Sequence, residues 1–61
     1  MYRDEAVKIM SDAVEEFNRF LAEKTGVTPE QTEEYIQKSR VQLDYVNGLI
    51  YDTLKYNGVI Q

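Results

Sequence analysis

The heptapeptide Thr25-Gly26-Val27-Thr28-Pro29-Glu30-Gln31 constrains the fold more than any other part of the chain. A Gly just past a helical run takes the left-handed conformation cheaply, ends the helix, and lets the next apolar residue fold back on the last turn. Gly26 and Val27 fit those two roles, with Leu21 or Ala22 as the contact. Thr28 can then cap a second helix, Pro29 suits its first position, and Gln31 stands where a capping box places its amide. The two helices are thus about three residues apart, and helices joined so tightly fold back side by side as an antiparallel hairpin.

Helical periodicity runs out from this turn in both directions. Upstream, Ala6, Met10, Ala13, Phe17 and Phe20 recur at spacings of four and three, with Val7, Val14 and Leu21 beside them. That is the broad stripe of a helix that buries one side. Asp4 and Glu5 at the start and Lys24 at the end suit the helix dipole. Downstream, Thr32, Ile36, Ser39, Leu43, Val46, Ile50 and Thr53 carry a matching seam. Asn57-Gly58-Val59 repeats the Gly-Val stop, with Leu54 as the expected contact of Val59. The expectation is a single all-α domain over 1–61, an antiparallel two-helix hairpin of about 3–25 and 29–57. Asn47-Gly48 leaves an alternative open. Asn-Gly between apolar runs is also a strong β-hairpin signal, so the helix could break there, or residues 41–46 and 49–54 could pair as strands. The seam running straight through the dipeptide favours a continuous helix.

A chain of 61 residues buries only about 60% of its unfolded surface. Small domains compensate with disulfides, metals or oligomerisation. With no Cys and no His, oligomerisation or a very well packed helical hairpin remains. Residues 41–56 point to the first of these, because Val41, Leu43, Tyr45, Val46, Leu49, Ile50, Tyr51, Leu54 and Tyr56 face almost every direction around a helix. A helix apolar all round must be covered all round. If Ile36, Leu43, Val46 and Ile50 face the first helix, then Val41, Tyr45, Gly48 and Tyr51 lie on the far side, flanked by Leu49 and Tyr56. These six form the expected partner interface, since Tyr gives a rigid apolar body with a polar tip. The expected assembly is a homodimer, two hairpins completing a four-helix bundle.

Composition excludes several functions. A net charge of −4 without a basic patch argues against nucleic-acid backbones and anionic membranes. No stretch approaches the roughly 18 apolar residues of a membrane span, and no signal-peptide pattern opens the chain. The expected location is cytoplasmic. Nucleophilic catalysis wants Ser, Cys or Lys beside a base that is usually His; Ser11 and Ser39 read as packing residues. The carboxylates at Asp12, Glu15 and Glu16, and at Glu30, Glu33 and Glu34, read as a solvated face. Gly26, Gly48 and Gly58 are isolated, so there is no phosphate loop. We therefore expect no enzyme, cofactor, metal or small-molecule ligand. The expected function is a small acidic protein–protein interaction module, a regulator or inhibitor of a partner, of the kind common among phage, plasmid and accessory-gene proteins. One alternative is a structural subunit acting through self-association. Another is a nucleic-acid mimic using Asp4, Glu5, Asp12, Glu15, Glu16 and Glu23, although Arg3, Lys8, Arg19 and Lys24 interrupt that row.

Two resemblances bear on these classes. The layout of two long helices and a tight turn resembles, in architecture alone, the plasmid RNA-binding Rop family, which implies a dimeric four-helix bundle. Ser39-Arg40-Val41-Gln42-Leu43-Asp44 resembles the Ser-Gln-x-Leu-Asp motif of the short sporulation-regulating aspartyl-phosphatases. It is one residue longer, and its Gln is displaced. That resemblance implies a helical hairpin with Asp44 as the functional carboxylate.

Overall fold

A computed structural model describes all 61 residues as two helices, α1 over Arg3–Thr25 and α2 over Pro29–Tyr56, with no strand. The turn forms as its residues dictate. Gly26 takes φ +82°, and the Val27 N–H donates to the Ala22 carbonyl at 3.0 Å, closing a Schellman stop. The Thr28 hydroxyl accepts from the Gln31 N–H at 3.2 Å, with Pro29 as the first helical residue. Gly58 and Val59 repeat the stop at the other end. Gly58 has φ +76°, and the Val59 N–H donates to the Leu54 carbonyl at 2.9 Å.

α2 runs unbroken through Asn47-Gly48, so neither the break nor the strand pairing occurs. Tertiary packing decides this. The Asn47 side chain is buried and donates from Nδ2 to the Ser11 hydroxyl of α1 at 2.9 Å. Gly48 is buried against the Arg3 side chain, where a Cβ would lie 2.5 Å from Nη2. A strand in this place would forfeit both contacts.

The seam between the helices differs from the apolar stripes. Its apolar part is small: Ala6 and Val7 on α1, Ile36 and Tyr51 on α2. Polar side chains supply the rest. Ser11, Thr32 and Asn47 are buried, and Arg3 pairs with Asp52, Arg40 with Asp12 and Glu15, and Arg19 with Glu33 across the seam. These contacts follow rows of every fourth residue, Arg3-Val7-Ser11-Glu15-Arg19 on α1 and Ile36-Arg40-Asp44-Gly48-Asp52 on α2. Such rows run obliquely over a helix. The contact therefore drifts off the seven-residue stripe that the apolar spacing predicts. The molecule is a short rod of 41 × 19 × 15 Å, with a radius of gyration of 13.6 Å; a compact chain of this length has about 10.5 Å.

Gly48 yields a first prediction. Ala in a helix interior is favoured over Gly by about 1 kcal/mol, but here the new Cβ must push the Arg3 fork away from Asp52. Gly48→Ala should deliver less than half of that gain. In an Asp52→Ala background, where Arg3 is free to move, it should deliver nearly all of it. Urea unfolding of the four proteins in the cycle measures this, and equal gains in both backgrounds would refute the contact.

Candidate interaction surface

Two opposite flanks of the hairpin differ sharply. On one, charges from both helices interlock. Arg40 is the hub: its Nη1 lies 3.0 Å from both the Asp12 and the Glu15 carboxylate, and its Nε 2.8 Å from Asp44. Lys8 pairs with Asp12 at 2.7 Å on the same flank. Toward the turn, Arg19 joins Glu16 of its own helix to Glu33 of α2. At the open end, Arg3 holds Asp52 through two nitrogens, at 2.8 and 3.1 Å.

These contacts set the ionisation of the flank. Glu15, then Asp12, holds the Arg40 guanidinium more firmly protonated than usual. Hydrogen bonding to Lys8 and then Arg40 holds the Asp12 carboxyl below its ordinary value of 3.8. The Ser11 hydroxyl, ahead of Arg40, does the same for Asp44. Arg19 lowers Glu33 and Arg3 lowers Asp52. Asp44, the carboxylate singled out by the phosphatase-like motif, is thus half-buried and engaged by Arg40.

The other flank is apolar and open. Val14 and Asn18 of α1 line a shallow groove with Tyr35, Ser39, Leu43 and Val46 of α2. It continues along α2 past Ile50 and Leu54. At 100° per residue, Phe17 and Leu21 fall beside Val14 on the same side of α1. Phe17 is 60% exposed, and Leu21, Val46 and Ile50 are each above 40%. These are the residues the periodicity assigns to the hairpin's own core. They are uncovered because the four-residue rows turn the polar flank of each helix inward.

Of the six residues expected at a partner interface, two are placed differently. Gly48 and Tyr51 lie in the seam, not on the far side. Tyr51 is 6% exposed, and its hydroxyl donates to the Met1 carbonyl at 3.4 Å, clamping the start of α1. The cause is the same drift, which brings this side of α2 onto α1 near the open end. Val41, Tyr45, Leu49 and Tyr56 are exposed. Tyr45 lies with Arg3, Lys8 and Arg40 on the charged side, and Leu49 stands between the flanks, touching that side and the apolar groove beside Val46 and Ile50. Sequence reasoning missed Val14, Phe17 and Leu21 as surface residues. The signal for them was the run of polar residues at Ser11, Glu15 and Asn18, which competes for the inward position at spacings of four and three.

No helix is long and apolar enough to cross a membrane. No family model, curated protein or solved structure matches the chain.

Proposed function

We propose that this chain is a protein–protein interaction module whose working surface is the apolar flank formed by Val14, Phe17 and Leu21 with Leu43, Val46 and Ile50. One observation carries the reading: the hairpin buries four apolar side chains and leaves most of its large ones in water. Contiguous exposed apolar patches mark contact sites. The packing that covers such a flank is a second helical layer, which completes a four-helix bundle. On this reading the ion-paired flank stays outward, keeps the acidic chain dispersed, and fixes the hairpin so that the apolar flank is presented ready-made.

A binding assay with immobilised chain and charge variants on the two flanks tests the reading. Val46→Asp should abolish retention of any protein the chain holds, its own copies included. Lys8→Glu should leave retention unchanged. Retention that survives Val46→Asp while helicity is intact would move the working surface elsewhere.

A further inference from the structure

The apolar flank has a definable occupant. A folded monomer of 7.2 kDa exposes about 4100 Å², whereas this chain exposes 4904 Å². The surplus of about 800 Å², taken over the whole chain, is of the size one partner contributes to a standard protein–protein interface.

Charge narrows the choice of partner. The groove on this flank is lined by Val14, Tyr35, Leu43, Val46, Ile50 and Leu54, with no Asp, Glu, Lys or Arg along it. A chain of net charge −4 repels its own copies wherever its acids meet. Here the acids that cross the seam pair with Arg3, Arg19 and Arg40 on the opposite side. Two copies can therefore join their neutral flanks without opposing like charges, while a charged foreign partner finds no counter-charge there. Shape agrees, because a rod 41 Å long is matched along its whole length by another laid beside it. A two-fold axis makes the contact self-complementary.

We propose that a second copy of this chain covers the apolar flank, face to face about a two-fold axis, with both ion-paired flanks outward. This rests on the reading of that flank as the working surface, and it differs from an interface built on Val41, Tyr45 and Tyr56, which the same arrangement leaves exposed.

Sedimentation equilibrium of the whole chain at micromolar concentration tests the proposal, with two variants at adjacent residues on different sides of α2. Wild type should show twice 7.2 kDa, and Tyr45→Asp the same. Val46→Asp should weaken association at least tenfold. The near-isosteric Val46→Thr, which keeps the helix intact, should weaken it by a smaller factor. A single-chain mass for wild type overturns the proposal, as does dissociation by Tyr45→Asp but not Val46→Asp. If wild type is a single chain yet retains a foreign protein that Val46→Asp releases, the second copy is wrong and the working surface stands. If neither association nor retention depends on Val46, both fail.

Discussion

Ser11→Leu should destabilise the hairpin by about 3 kcal/mol and leave little helical signal in mild urea. Ser11 is fully buried, and its hydroxyl accepts the Asn47 amide at 2.9 Å. Leu adds bulk at the most deeply buried position of the seam, and overpacking costs about 1–3 kcal/mol. It also strands the buried Asn47 amide, which costs about 1–3 kcal/mol more. A chain of 61 residues has roughly 3–9 kcal/mol in all, so the two effects together approach its limit. The control is Ser11→Ala combined with Asn47→Leu, which removes both polar partners and should cost far less. Circular dichroism through a urea titration reads the difference. Wild-type stability in Ser11→Leu would mean that the helices do not approach at this point.

Arg40→Ala should cost roughly 2 kcal/mol at neutral pH, below the 3–5 kcal/mol of a fully buried pair because part of the side chain is wetted. It should also flatten the pH dependence on the acid side. In the wild type, Asp12, Asp44, Glu33 and Asp52 are held below their ordinary values of 3.8 and 4.5. A carboxyl depressed in the folded state contributes stability that is present above its unfolded pKa and is lost as pH falls through the folded one. Wild type should therefore be stable from neutral pH down to about pH 5 and weaken steadily below about pH 4. Without Arg40, Asp12 keeps Lys8 and Asp44 keeps the Ser11 hydroxyl, but both lose the guanidinium that helps to depress them. The variant should therefore lose less stability than the wild type as pH falls from about 5 to about 3. Urea midpoints across that range measure both curves. Parallel curves would show that Arg40 is not the hub.

Three of the four helix ends were legible because each is decided within about six residues; the start of α1, at Tyr2, has no side-chain cap. Gly26-Val27, Thr28-Pro29 and Gly58-Val59 set their caps by local geometry and need nothing from the rest of the chain. The seam was not legible from apolar spacing. The stripe through Phe17 and Leu21 shows which side of α1 is apolar, not which side its partner helix covers. In a two-helix molecule those can differ, since one neighbour covers only part of each surface. What fixes the seam is pairing between helices. Arg3 with Asp52 and Glu15 with Arg40 have residue numbers adding to 55, and Arg19 with Glu33 and Asp12 with Arg40 add to 52. Opposite charges thus meet along one antiparallel register. That signal lies in the sequence, but only a comparison of the two helices in every register exposes it. Tyr51 and Gly48 were misplaced for the same reason. Both lie opposite the start of α1, where the oblique rows have carried the contact off the apolar stripe of α2, leaving Val46 and Ile50 exposed.

The central claim is that this hairpin covers too little of its own apolar surface and completes its fold against another copy. The concentration dependence of unfolding tests it most directly. For a self-associating fold, raising the protein concentration a hundredfold stabilises it by RT ln 100, about 2.7 kcal/mol. The urea midpoint followed by circular dichroism should therefore rise clearly between low and high micromolar protein. A midpoint that stays fixed over that range would show that the isolated hairpin is the stable unit and contradict the account.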